Sequence, residues 1–365
     1  MKKVLVLSSA HPWDDERVFN KITKSLKKRY ETVLCAVAEN DLQVVDGIKI
    51  YGLKKLSRAK RYKNYSKIIR IVKEEKPDII HFHDPDLLLL ALYFKLILKK
   101  KVIYDVHEDY SLAFKDREYL PKLLRSLFSS TFNLFEKNVS KLFDGVVVVT
   151  EDIFNKFNCK NKVILKNFPT IDMYEKRQEY NLDGTINLVY IGSVSYHRGI
   201  TNLILAVKDL QNLNIKLDII GPAESSDYFE EIKKFENEKI KIWGRVPKSR
   251  VPDILKNAHI GFVTLLPLKR YLTSLPLKLF EYMAAGVPII ASNFELWKGI
   301  IESSNCGVIV DPTDIEQIKS AILYFYNNRQ EIINKGQNGY RAFIEMYNWS
   351  KEEEKLFDFY KRIVG

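Results

Sequence analysis

One pattern, run twice, constrains this chain more than any other. Short runs of aliphatic and β-branched residues alternate with amphipathic stretches of helical length. A strand buried on both faces must be apolar throughout, whereas a helix covering it needs only one apolar stripe, so the alternation predicts mostly parallel sheets with helices on both sides. In the first run, strands are expected at residues 4–7, 32–38, 47–51, 78–82, 101–106 and 145–149. A polar loop is expected over 8–16, and helices near 17–29, 62–75, 86–99 and 121–139. The pattern restarts with strands at 188–191, 216–220, 240–243, 260–264, 287–291 and 307–310, separated by helices near 201–210, 228–236, 251–257, 276–285 and 315–328.

A chain of 365 residues is longer than one core usually serves. Two doubly wound domains are therefore expected, at 1–168 and 169–346, with 161–184 read as a linker. A last helix over 347–365 is expected to fold back toward the first domain. Ligands of such sheets bind beyond the carboxyl ends of the strands, which predicts a cleft between the domains. Cys35, Cys159 and Cys306 are too few and too scattered for a disulfide framework or a metal knuckle, and read as small buried apolar residues. The apolar run after Met1 is too short for an export signal, and no stretch is long enough to span a bilayer, so a cytoplasmic location is expected.

The charge is unevenly placed. Residues 1–170 hold 33 Lys and Arg against 21 Asp and Glu, while residues 171–365 hold 25 of each sign. An excess confined to one domain points to an anionic partner for that domain, a membrane or a nucleic acid. The basic residues form no recognisable reading helix or base-stacking platform, so no nucleic acid is expected. Residues 54–70 mix eight Lys and Arg with Tyr62, Tyr65, Ile68 and Ile69, and residues 121–135 mix Lys122 and Arg125 with Leu123, Leu124, Leu127, Phe128, Phe132, Leu134 and Phe135. Both compositions suit the headgroup layer of an anionic membrane, although the second also suits a domain core.

Candidate chemistry lies in four places. Gly192 follows a strand directly, and Ser193 to Arg198 lead through Gly199 into a helix, which offers backbone N–H groups, a helix N-terminus and a guanidinium to phosphate oxygens. The segment SLPLKLFEYMAAGVPIIAS places Lys278 and Glu281 three apart on one helix. The carboxylate there can accept both hydroxyls of a ribose and the lysine can meet a diphosphate; a surface ion pair is the plain alternative. DIIHFHDPD carries His81, His83 and Asp84 at a strand end, with both histidines on one face. YDVHED carries His107, Glu108 and Asp109 at another. The two clusters suit acid/base or substrate-orienting work. A metal would require them to converge, and none is expected. The loop HPWDDER adds His11, Trp13 and Asp14 to the same side.

Through PLKLFEYMAAGVPIIAS, YIGSVSYHRG, DIIHFHDPD and YDVHED, and over nearly its whole length, the chain resembles the retaining nucleotide-sugar-dependent glycosyltransferases of family 4, with the GT-B fold. The resemblance implies that Glu281 holds the donor ribose, that Gly192 opens the diphosphate loop, and that Arg198 stands where relatives have a diphosphate-binding lysine. It implies that His107 contacts the transferred sugar and that Lys278 faces the donor. Thr273 replaces the first glutamate of the family's pair, so hydrogen bonds to the sugar fall to its hydroxyl or to the backbone at Ser274 and Leu275. Ser193 replaces an arginine, leaving positive charge to Arg198 and Lys278. The base is read by backbone near Val246. His11, Trp13, Asp14, His83, Asp84 and Glu108 then fall on the acceptor side.

The implied reaction moves a sugar, with retention, from a UDP-, GDP- or ADP-sugar to a lipid-linked or glycan acceptor in cell-surface polysaccharide synthesis, at the inner face of the membrane. The departing phosphate helps to deprotonate the acceptor, and neither metal nor cofactor is required. No carboxylate pair spaced for glycoside hydrolysis is evident. A nucleotide-sugar epimerase and a non-catalytic nucleotide-sugar-binding protein are the rival readings.

Overall fold

The computed structural model describes residues 1–110 and 122–365. It divides into two compact units, residues 1–167 with 349–365, and residues 168–348. Both are sheets covered by helices.

In the first unit eight strands are described: β1 (Lys3–Pro12), β2 (Glu31–Val37), β3 (Leu42–Val45), β4 (Ile48–Leu53), β5 (Ile79–Phe82), β6 (Lys101–Val106), β7 (Gly145–Val148) and β8 (Lys162–Ile164). Their order is β3-β4-β2-β1-β5-β6-β7-β8, parallel except where β3 meets β4. Val4, Val6, Ile79, Ile103 and Val147 point to one face, where helix Trp349–Val364 lays Phe359, Tyr360 and Ile363 against them. The opposite face, with Leu5, Leu7, Ile80, Phe82 and Tyr104, is covered by helices Tyr65–Glu75, Leu88–Leu96 and Lys122–Ser140.

Three expectations need correction. The polar loop expected at residue 8 is strand as far as Pro12, with its register shifted after Leu7. Ser8 and Ser9 can be buried in a strand because the Ser8 hydroxyl and the Ser9 N–H donate to Asp84 and the Ser9 hydroxyl donates to Asp86. The linker expected from residue 161 begins inside the sheet, since β8 pairs with β7. The helix expected from residue 17 opens as a π-helical turn, Glu16–Thr23, capped by the Asp15 carboxylate. Of the helix expected over 121–139, residue 121 and the side chains of residues 122–125 lie outside the described residues.

The second unit has strands β9 (Ile186–Ile191), β10 (Ile215–Ile220), β11 (Ile240–Gly244), β12 (Ile260–Val263), β13 (Ile289–Ser292) and β14 (Gly307–Val310), all parallel, in the order β11-β10-β9-β12-β13-β14. The order reverses between β9 and β12, and a switch point of this kind leaves a crevice beyond the carboxyl ends of its strands. No described helix is long and apolar enough to cross a membrane.

Candidate functional site

In the second unit the switch point is occupied by the loop that follows β9. Gly192 has φ +136, a conformation that residues with a side chain rarely adopt, and a Cβ there would lie 2.8 Å from the Lys278 Nζ and push that tip aside. The Gly192 N–H donates to the Ile220 carbonyl at 2.9 Å and that of Val194 to Pro222 at 2.9 Å, fixing the loop to β10. Gly199, at φ +73, closes it; a Cβ there would stand 1.9 Å from the Thr264 carbonyl oxygen. That close approach brings the N-terminus of helix Ile200–Lys208 beside the end of β12.

Helix Leu277–Ala284 supplies the other wall. It is anchored by Tyr282, whose hydroxyl accepts the Ile191 N–H at 3.0 Å and whose ring lies where any side chain at Gly261 would fall. Lys278 is buried and its Nζ sits 3.5 Å above the Tyr190 ring, so this is no surface ion-pairing lysine. Burial, then the Arg198 charge, push its pKa well below the ordinary lysine value, with Glu281 opposing. Glu281, one turn along, is partly exposed. Arg198 stacks over Tyr271 at 4.9 Å and has its Nε 3.8 Å from Glu224.

Four buried polar atoms on or beside this loop have no hydrogen-bond partner: Ser195 Oγ, Arg198 Nε, Thr264 Oγ1 and Lys278 Nζ. Ten such atoms occur among the described residues, so nearly half gather at one turn. Leaving buried polar groups unpaired costs on the order of 1–3 kcal/mol each, which is the mark of a site built for something polar and anionic.

The other residues singled out in this unit are less alike. Ser193 lends its carbonyl to the Tyr190 hydroxyl at 2.7 Å. Thr273 is exposed where helix Lys269–Leu272 ends. The Ser274 N–H donates to Tyr271 and its carbonyl accepts from Trp297 Nε1 at 2.6 Å. Its backbone is therefore already engaged, contrary to the expectation that it serves a sugar. Leu275 and Val246 are half-buried against the core.

In the first unit the ends of β1, β5 and β6 gather four histidines. His81 and His83 stack at 5.0 Å, and His83 Nδ1 is hydrogen-bonded to His107 Nε2 at 2.8 Å. The His11 ring lies 5.1 Å from that of His107. Beneath them Asp105, fully buried, takes a hydrogen bond from Arg17 Nη2 at 2.9 Å and lies 3.3 Å from His81 Nε2 and 3.6 Å from both His83 Nδ1 and His107 Nε2. Burial drives His83 well below its usual pKa and His107 to about 4, the latter with help from Arg17 and His11. A neutral imidazole is thus held at the surface of the cluster.

His83 and Asp84, expected to meet an acceptor, are sealed beneath it. Asp84 binds back to β1 through Ser8, Ser9 and Ala10 and pairs with His11 at 3.3 Å. Burial opposes ionisation of that carboxyl, but His11 and Ser8 more than offset it and hold it below the carboxylate range. Burial likewise acts to lower the His11 pKa, yet Asp84 leaves it raised. Asp14 and Glu108 are exposed, and Trp13 packs edge-on against Phe19.

The convergence that a metal would need does occur, since ligand atoms of His81, His83 and Asp105 lie within 4.8 Å of one another. Arg17 already neutralises Asp105, however, and a divalent ion would have to displace or sit against a buried guanidinium. The donor set therefore fits a charge-paired histidine cluster better than a metal.

Several members of the site escaped the sequence reading. Arg17 and Lys21 look like the polar face of a helix, yet the π turn directs both inward. Asp105 could have been found, since strand alternation puts it on the face of His107. Tyr360, whose hydroxyl is 2.7 Å from His81 Nδ1, comes from 279 residues away and leaves no local signal.

Two doubly wound, parallel-sheet units in one chain define the GT-B architecture. Residues 172–342 match the model of the glycosyl transferases group 1, and residues 16–160 that of glycosyltransferase family 4. The chain belongs to these GT-B glycosyltransferases, enzymes that use nucleoside-diphosphate sugars. Among solved structures it is similar to a sucrose-phosphate synthase from Thermosynechococcus elongatus (15% identity, 100% of this chain and 99% of that chain, TM-score 0.77). It is also similar to a glycosyltransferase from Rickettsia africae (14%, 100% and 99%, 0.74) and to Anabaena HepE in complex with UDP-glucose (14%, 99% and 100%, 0.74). No curated protein sequence matches it.

Proposed function

We propose that the second unit holds the donor at the Gly192–Gly199 turn and that the enzyme transfers its sugar, with retention, to a lipid-linked or glycan acceptor in cell-surface polysaccharide synthesis. The observation that carries this reading is the gathering of four buried polar atoms without hydrogen-bond partners at one turn. Arg198 and Lys278 offset the charge that develops on the leaving diphosphate, and backbone N–H groups and the helix N-terminus help. Glu281 accepts the ribose hydroxyls. His107, kept neutral, orients the sugar without adding a competing cation.

UDP-sugars are the first donors to test, because the similar HepE structure contains UDP-glucose. Binding of UDP-glucose, GDP-mannose or ADP-glucose to the folded chain alone raises its melting temperature, by about 2.7 kcal/mol of stability at a hundredfold excess over Kd. We expect protection by one of them, lost in Arg198→Ala, with protection by the bare nucleoside unchanged. No protection by any donor would refute the reading.

We further propose that the first unit meets an anionic membrane surface at its cytoplasmic face. Leu89, Leu96 and Ile97 on and just after one helix, and Leu127, Phe128, Leu134 and Phe135 on another, are exposed. Lys54, Lys55, Arg58, Lys60 and Lys63 are exposed nearby in sequence, and Arg61 bonds Asp86 at 3.0 Å, so the basic segment abuts the first of these helices. Apolar rings and cations side by side suit acyl chains and anionic headgroups.

A further inference from the structure

A lysine on a helix normally carries its ammonium out to water. Lys278 does not: it is 7% exposed, its Nζ has no hydrogen-bond partner, and that Nζ lies 2.8 Å from where a Cβ at Gly192 would stand. The groups that face it directly come from three elements. β9 contributes the Tyr190 ring, the loop contributes Gly192 and the Arg198 guanidinium, its own helix contributes Glu281, and Tyr271 and Glu224 face it only through Arg198. Two basic side chains therefore sit together, Lys278 buried and Arg198 partly exposed, with Glu281 partly exposed beside them and Glu224 reaching only Arg198. That arrangement disfavours the charged amine until an anion arrives, and burial with Arg198 lowers its pKa accordingly.

A nucleotide-sugar diphosphate carries two negative charges and several acceptor oxygens. Seated at the Gly192 turn it would give the amine the hydrogen bonds and counter-charge that it lacks. Ser193, uncharged, cannot supply a second cation there. We propose that Lys278 is that second cation, and that it takes up its proton together with the incoming diphosphate, so that donor binding is linked to proton uptake. This rests on the donor site proposed above.

The linkage has a definite sign. The amine binds a proton more tightly with donor than without, so affinity falls as pH rises through the window between its free and bound pKa values, by up to tenfold per pH unit. A residue that merely packs would leave affinity flat.

The test is calorimetric titration with UDP-glucose, GDP-mannose and ADP-glucose, whose diester phosphates do not titrate near neutrality. It is run from pH 6.5 to pH 8.5, below the range in which the uracil and guanine ring N–H groups ionise, in pairs of buffers that differ in ionisation enthalpy. We expect a buffer-dependent heat reporting uptake approaching one proton within that range. We also expect Lys278→Met to bind more weakly with no buffer dependence, and circular dichroism to show it folded; Lys278→Gln serves as the second variant. Binding by the wild-type chain without proton uptake, or undiminished uptake in both variants, would overturn this inference and leave the donor site standing. No binding of UDP-glucose, GDP-mannose or ADP-glucose would overturn the donor site and this inference together.

Discussion

Replacing Arg17 with methionine tests how the histidine cluster is held. Arg17 and Asp105 are 4% and 0% exposed and 2.9 Å apart, and Asp105 has histidine nitrogens at 3.3, 3.6 and 3.6 Å. Methionine keeps much of the volume and removes the charge, leaving a buried carboxylate whose nearest possible counter-ions are imidazoles. Breaking one side of a buried pair costs about 3–5 kcal/mol, and that is the loss expected at pH 8.

At pH 6 the loss should be smaller. In the native chain His107 titrates at about 4 against an ordinary 6.5, so the unfolded state binds more protons and stability falls as pH drops through 6.5. In Arg17→Met the lone carboxylate raises the pKa values of the histidines facing it. Once one of them exceeds the unfolded value the slope reverses, and a tenfold gain in proton affinity is worth about 1.4 kcal/mol. The penalty at pH 6 should therefore be about 1–2 kcal/mol less than at pH 8. Native-state hydrogen exchange at the amides of His81, Phe82, Tyr104 and Val106, corrected for intrinsic rates, reads this unit alone. A loss below about 1 kcal/mol at pH 8, or an equal loss at both pH values, would refute the assignment of Arg17 as the counter-ion on which the histidines depend.

Two further outcomes follow from the same geometry. Glu281→Gln should weaken binding of a nucleoside diphosphate by about 1.5–3 kcal/mol in calorimetry without lowering the melting temperature, and unchanged affinity would remove the ribose assignment. The first unit should bring the chain down with anionic but not neutral liposomes, and changing Arg58, Lys60, Arg61 and Lys63 to Glu should abolish this; equal sedimentation by the reversed variant would leave a soluble acceptor as the better reading.

The central strands were legible because buried parallel strands are apolar without interruption, as in β12 and β13, whereas β10 and β11 toward the edge carry Lys216, Asp218 and Lys241 and were marked by alternating isoleucines and leucines. The antiparallel edge strand β3 was not legible, since its residues alternate between exposed and half-buried and never form an apolar run. Its hairpin was signalled all the same by Asp46-Gly47, which take positive φ at both turn positions. Lys278 was placed near the diphosphate from spacing and resemblance, but its burial was not foreseen, because the Tyr190 ring and the Gly192 turn that surround it are far away in sequence. Asp84 was misjudged for a related reason. A carboxylate at a strand end looks available until its partners, three successive residues of another strand, are known.

The helix Trp349–Val364 belongs to the first unit although all of the second unit is made before it. At roughly 5–20 residues per second, the ribosome spends on the order of ten to forty seconds on the intervening segment. Throughout that time the sheet face bearing Val4, Ile79, Ile103 and Val147 lacks Phe359, Tyr360 and Ile363, and His81 lacks its tyrosine. The contiguous second unit can close as soon as it emerges, whereas the first must wait, half-covered. A nascent chain stalled before residue 349 should consequently be a chaperone client through its earliest-made half.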